Sequence, residues 1–267
     1  MLRPISARLK PPPTLRSLWR RRGSLCYLRS MQPFSRRRFL LTASAALAAA
    51  RISRSAQQEV VPKLLDHILL GCPNLEEGIV FVEERYGVRA AFGGVHPGVG
   101  TQNALLSLGE GRYLEIIAPD PHQPKAEDTR GLKKLNRPKI IGWAAHPGNL
   151  DDFAITLKKA GIEAHGPNPG SRQRPDGQVL DWKTLILQDD AEGLLPFFIE
   201  WGEGTTHPSV DAPQGSKLTV FEAASPDYRG IKFKADQMNL DLLVLGSNTS
   251  HLVAEIIGKN GESSGIT

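Results

Sequence analysis

The chain has 267 residues, 40% of them hydrophobic, with a formal net charge of +5. Twelve Arg and one Lys precede Glu59 and no acid does, leaving 20 basic against 28 acidic residues from Glu59 onward. The part that can fold is therefore acidic, which excludes the nucleic-acid partner that the overall basic balance would suggest.

In chain order, the first feature is a leader. Ser35-Arg36-Arg37-Arg38-Phe39-Leu40 precedes an Ala-rich apolar run ending at Ala48-Ala49-Ala50. This resembles a twin-arginine export signal with a small-residue cleavage site. The run is about 11 residues, too short to span a bilayer. The expectation is a leader over 1–56, made of an over-extended start (1–30, upstream of Met31) and the signal itself (31–56). The protein would then be periplasmic or secreted. A mitochondrial presequence, also Arg-rich and acid-free, is the alternative. Cys26 falls in the leader, so Cys72 is the one thiol beyond it. No intrachain disulfide can form there, and Cys72 reads as an inert core residue.

Leu64–Gly71 reads as a buried strand, and Asn74 as a helix N-cap followed by Glu76 and Glu77. Leu75, Ile79, Val82 and Tyr86 recur at helical spacing, and Gly87 ends the helix. Strands follow over Val88–Gly93, Asn103–Leu108 and Arg112–Ala118. After a polar linker, Pro119 to Pro138, the order restarts. Lys139–Ala145 is a strand, and Asn149 caps a helix with Leu150, Phe153 and Leu157 on its buried face. A Gly/Pro/Arg-rich loop spans Gly166 to Gly177, followed by strands over Val179–Gln188 and Leu195–Trp201. LDHILLGCPNLEE (from Leu65) and IGWAAHPGNLDD (from Ile141) are two copies of one phrase, so the chain holds two βαβββ modules, 63–120 and 138–203. The tail, 213–267, reads as a partial third βαββ unit: strand Leu218–Ala223, helix Tyr228–Gln237, then strands Leu240–Leu245 and His251–Gly258. The fold class is α+β.

Three polar residues sit in runs that should be core: His67, Glu115 and Glu200. Alternation puts His67 with Leu65 and Leu69, Glu115 with Tyr113 and Ile117, and Glu200 with Phe198 and Gly202. If those faces line one cup, the three converge, and two buried carboxylates would favour a divalent cation with one imidazole. A hydrogen-bonded core histidine and ordinary ion-paired glutamates remain open as the plainer reading. The glycine-rich segment from His96 to Asn103 reads as a loop that presents His96, Thr101 and Asn103 to the cup. Arg172 and Arg174 lie in the Gly166–Gly177 loop, where they would cover an anionic ligand. Trp143 reads as core and His207-Pro208 as a turn. No His-Cys zinc spacing, nucleophile elbow, P-loop lysine or dinucleotide fingerprint is present.

LDHILLG, GGVHPGVGTQNALLSL, YLEIIAPDP and PFFIEW followed by His207-Pro208 resemble the glyoxalase-like domain family of the vicinal oxygen chelate superfamily, over roughly 63–245. The resemblance implies a glyoxalase-like domain over 57–212 in which paired modules form a cupped mixed sheet. Metal ligands would come from the first and last strand of each module: His67, Glu115, Glu200 and the residue matching His67, which is Gly142. The metal implied is Mn, Fe, Ni, Mg or Zn. It would chelate the oxygens of a small substrate in a lyase or isomerase reaction, with Glu115, Glu200 or His96 moving a proton. Substrate contacts would come from His96, Thr101, Asn103 and Arg174. The alternative is a metal-free module that sequesters a small molecule in the same cup. The expected partners are a small molecule and a second copy of the chain, without nucleic acid or stable membrane insertion.

Overall fold

The computed structural model describes residues 59–123, 129–174 and 176–267. The expected export signal with its cleavage site, Met31 and Cys26 lie outside the described residues.

The first module runs β1 (Leu65–Gly71), α1 (Leu75–Tyr86), β2 (Ala91–His96), β3 (Thr101–Gly109) and β4 (Arg112–Pro119). Helix α1 starts where the sequence says it should: Asn74 Oδ1 accepts from the Glu76 and Glu77 amides at 2.9 and 3.3 Å. It stops at Gly87, whose φ of 68° suits a residue without Cβ. Strands β2, β3 and β4 pair antiparallel, and β4 returns beside β1 in parallel, with His67 next to Tyr113 and Leu69 next to Glu115.

The second module repeats the order: β5 (Lys139–Ala145), α2 (Leu150–Lys159), β6 (Ala164–Gln173), β7 (Val179–Leu187) and β8 (Phe197–Trp201). Strands β1 and β5 run antiparallel and join the modules into one eight-stranded sheet, ordered β2-β3-β4-β1-β5-β8-β7-β6. The segment expected to be a loop from Gly166 to Gly177 is mostly strand β6. Pro167 and Pro169 are tolerated there because β6 is the sheet's edge and its pairing with β7 is irregular between His165 and Asn168. Gly170 is required by packing: a Cβ would stand 2.5 Å from the Trp182 indole nitrogen. His96 and Thr101 also differ from their expected loop setting. They are the paired ends of strands β2 and β3, with a tight turn between them.

After the short helix α3 (Pro208–Asp211), the chain forms β9 (Lys217–Ser225), α4 (Tyr228–Gln237), β10 (Leu243–Gly246), β11 (His251–Ile257) and β12 (Ser263–Ile266). The expected βαββ order is present with a fourth strand added. The sheet order, β10-β9-β11-β12, differs from that of the modules: the first strand pairs in parallel with the second strand rather than with the last. This small sheet shares the main core. Trp143 meets Phe221 edge-on at 5.3 Å and donates from Nε1 to Leu194 O at 3.0 Å. Fully buried aromatics bury about 150–250 Å² each, so Trp143, Phe198, Phe221 and Tyr86 account for a large share of the apolar burial. Cys72 is buried in the same core, where burial pushes its thiol up to about 12. Among the described residues, no helix is long and apolar enough to cross a membrane.

Candidate functional site

The concave face of the large sheet encloses a cavity of ≈ 240 Å³. Side-chain parity decides what lines it. His67 and Leu69 on β1 face inward, as do Thr101 and Asn103 on β3 and Tyr113, Glu115 and Ile117 on β4. The opposite wall is Trp182 and Thr184 on β7 and Phe197, Ile199 and Trp201 on β8.

A chain of polar contacts crosses the floor. Arg172 Nη1 on β6 donates to Asn103 Oδ1 at 2.9 Å, and Asn103 Nδ2 donates to Glu115 Oε1 at 2.7 Å. Glu115 Oε2 lies 3.5 Å from His67 Nε2, and His67 Nδ1 lies 2.7 Å from Asp66 Oδ1. Every member is buried: Arg172 is 5% exposed, Asn103 2%, Glu115 8%, His67 2% and Asp66 3%. Burial alone would raise the Glu115 carboxyl. Electrostatic attraction to His67 and His96, the Asn103 hydrogen bond and Arg172 outweigh it and hold the group below its ordinary value. Glu115 is thus a carboxylate at neutral pH.

Asp66 carries no expectation from the sequence, yet it anchors this chain. Strand β1 holds one extra residue against β5 between the Leu65–Ala145 and His67–Ala144 pairs, and Asp66 is that residue. Such a bulge re-aims a side chain. Asp66 Oδ2 accepts from Trp201 Nε1 at 3.1 Å and faces His207 Nε2 at 3.2 Å and His146 Nδ1 at 3.7 Å. Burial raises its pKa, but the contacts with His146, His207 and His67 hold it well below the usual carboxylate range. The carboxylate–imidazole contact fixes the His67 ring, which also stacks on Tyr113 at 4.6 Å. The signal for Asp66 was an acid inside an apolar strand, the same signal that singled out Glu115. His207 does more than make a turn, since it faces this carboxylate.

His96 stands at the rim of the polar wall. Its Nδ1 lies 2.8 Å from Thr101 Oγ1, and its Nε2 lies 3.4 Å from Asn103 Nδ2 and 3.8 Å from Glu115 Oε1. An Asn103 N–H aimed at Nε2 makes Nε2 the acceptor and leaves the proton on Nδ1, toward Thr101. Burial lowers the His96 pKa, with Glu115 opposing and Arg172 adding to the shift. The ring is neutral at pH 7, with its Nε2 lone pair directed at the Asn103 amide beside Glu115.

A family model described as "Glyoxalase-like domain" matches residues 65–234, both modules and the start of the third unit. The chain belongs to the glyoxalase-like domain family. A hypothetical protein from Staphylococcus aureus has the same fold: TM-score 0.57 at 17% identity, over 72% of this chain and 88% of that one. A methylmalonyl-CoA epimerase from Mycobacterium tuberculosis aligns at TM-score 0.38 and 18% identity, over 55% of this chain and 94% of that one. No curated protein matches the chain.

This glyoxalase-like domain departs from the expected ligand set in its second module. Glu200 does not meet His67 and Glu115. Phe197 pairs with Ala144, and Ala144 sits opposite His67, so the odd-numbered residues of β8 face the cup. Glu200 faces the other way, beside Phe198, which packs on Phe153 of α2 at 4.6 Å. There Glu200 Oε2 accepts from the Leu150 amide at 2.6 Å and caps the positive end of α2. The inward positions of β5 opposite His67 and Leu69 are Ala144 and Gly142, which have no donor atom. Arg174 also lies away from the cup, ion-paired with Asp211 and Asp176, and Arg172 reaches the cup instead. Among the described residues, no group of three His, Cys, Asp or Glu is arranged to hold a metal ion. The residues present do not fit the divalent cation that the family resemblance implies. His67 and Glu115 meet each other and their own neighbours, and the second module adds nothing to coordinate with.

Proposed function

We propose that the cup binds a small oxygen-bearing molecule and moves a proton on it, with the His96 imidazole as the base and no resident metal. The observation that carries this reading is a neutral imidazole 3.8 Å from a buried carboxylate at the mouth of the cavity. A base of this kind is suited to a C–H next to a carbonyl, the class to which isomerase and lyase reactions on oxo- and hydroxy-compounds belong. Thr101 and Asn103 hold the ring, and Glu115 favours the imidazolium that forms when the proton is taken. The apolar wall keeps water from competing. Export by the twin-arginine-type leader is part of the same proposal and would put this chemistry outside the cytoplasm.

The test is exchange of solvent deuterium into a panel of small oxo- and hydroxy-compounds, followed by NMR. Exchange that His96→Gln reduces about 100-fold or more supports the base, at the usual scale of general base catalysis, about 10²–10⁴. Thermal shift with Mn, Fe(II), Ni, Mg and Zn tests the metal. A stabilisation by any of them that Glu115→Gln abolishes overturns the metal-free reading. A second reading, sequestration without turnover, is favoured by the internal satisfaction of Asp66, His67, Asn103 and Glu115, which need no reacting group to complete them. Tight binding with no exchange by the wild-type protein would establish that reading instead.

A further inference from the structure

Arg172 is the member of the polar chain whose charge has no contact partner among the described residues. Its side chain carries five N–H donors, and the residue is only 5% exposed. Its hydrogen-bond partner is the neutral Asn103 amide. Among the described residues no carboxylate forms an ion pair with it, whereas Arg174, two residues on, has two. The Glu115 carboxylate acts on it through space, but Asn103 stands between them, and the Glu115 oxygens are already directed at Asn103, His67 and His96. A buried guanidinium without a carboxylate in direct contact is costly, and its cost falls when an anion joins it.

The backbone is cut away to admit this group. A Cβ at Gly93 would lie 2.7 Å from Arg172 Nη1 and 2.5 Å from Asn103 Oδ1, and one at Gly94 would lie 3.0 Å from Nη1. Two consecutive glycines on β2 thus let an arginine from the second module reach across to the first. Apart from Thr184, the opposite wall is apolar, with Trp182, Phe197, Ile199 and Trp201 facing the same cavity.

We propose that the molecule bound in the cup carries a carboxylate, that Arg172 is its anchor, and that the rest of the molecule is an apolar chain or ring lying on the aromatic wall. The proposal rests on the cup being the binding site. It adds the class of ligand: a small organic acid rather than a neutral carbonyl compound. The planar fork of arginine matches a carboxylate edge-on, and lysine does not. Arg172 also lines a second cavity of ≈ 240 Å³, together with Leu105, Leu180, Ala212 and the ion-paired Arg174, Asp176 and Asp211. No tryptophan lines that cavity, but Trp201 packs on its Leu105 and Ala212, so Trp182, read in a Trp201→Phe background, reports whether the cup is the side occupied.

The experiment is calorimetric titration of the full chain with 4-methyl-2-oxopentanoate and with its methyl ester, at fixed ionic strength. The acid is expected to bind at least tenfold more tightly than the ester and to change the emission of Trp182. Arg172→Gln should weaken the acid about 10- to 100-fold, the worth of a charged hydrogen-bonded contact, and leave the ester unchanged. Arg172→Lys should fall between. Ester and acid binding equally to the wild-type protein, or acid binding that Arg172→Gln leaves intact, overturns this inference alone. Binding of the acid without change in emission overturns the assignment to the cup. No binding by either compound overturns both the inference and the cup as a binding site. The acid–ester comparison needs no variant, so it stands even if Arg172→Gln does not fold.

Discussion

The wall built by the first module carries the polar groups: His67, His96, Thr101, Asn103 and Glu115 face the cavity among Leu69, Tyr113 and Ile117. The wall built by the second is Trp182, Phe197, Ile199 and Trp201, with Arg172 reaching over from β6. The two modules share an element order and a strand order, each with its first strand parallel to its last. The difference lies in which side chains occupy equivalent faces. A symmetric metal site needs donors from both halves, and here the second half offers glycine, alanine and apolar groups at those positions. The polar half must then satisfy its own buried charges, which it does through Asp66, Asn103 and the histidines. Backbone symmetry is inherited by the sheet, and chemistry is not.

That contrast can be broken by substitution. The largest effect is expected for Asp66→Ala. It strips the acceptor from His67, His207 and Trp201 and should cost about 3–5 kcal/mol in urea unfolding at pH 7. The folded pKa of Asp66 is depressed, so this stability is present above the ordinary carboxylate range and is lost as pH falls through it toward the folded value. The gap between wild type and Asp66→Asn should accordingly narrow below about pH 4. Next is Gly93→Ala, whose added methyl collides with Asn103 Oδ1 and Arg172 Nη1. A loss of about 1–3 kcal/mol is expected, read by the same unfolding curves. Glu200→Gln weakens only the cap of α2 and should cost about 1 kcal/mol while leaving ligand binding in the cup unchanged. A loss of binding in that variant would restore Glu200 to the site. The smallest effect belongs to His146→Gln. The His146 pKa is raised, first by its contact with Asp66, so its contribution is full below the ordinary histidine pKa and fades as pH rises through the folded value. His146 is partly exposed, so less than about 0.5 kcal/mol is expected, visible as a small difference in melting temperature between about pH 5.5 and pH 8.

Much of this architecture was legible in the sequence because its signals are local. Asn74 and Asn149 cap helices through their own side chains, and Leu75, Ile79 and Val82 mark a buried face by spacing alone. His67 and Glu115 were legible as polar residues in apolar strands, and they do meet. What local signals missed depended on pairing. The face of Glu200 follows from the register of β8 against β5, and a one-residue slip exchanges cup for helix side. Asp66 points to the site because β1 bulges against β5, a strand far along the chain. Strand β6 was hidden by Pro167 and Pro169, which an edge can hold and a central strand cannot. Its being a strand is also what brings Arg172, rather than Arg174, to the cavity.

The close approach of β2 and β6 has a consequence for the life of the molecule in solution. These are the two outer strands of the large sheet, and edges of this kind invite other chains to pair with them. Here a Cβ added at Gly94 would stand 3.1 Å from the Gln173 carbonyl oxygen, and the Arg172 side chain lies along Gly93 and Gly94. Each edge partly screens the other. The contact that closes the cup therefore also protects against edge-to-edge aggregation, and variants that pry Arg172 from Asn103 should lose solubility during refolding as well as ligand.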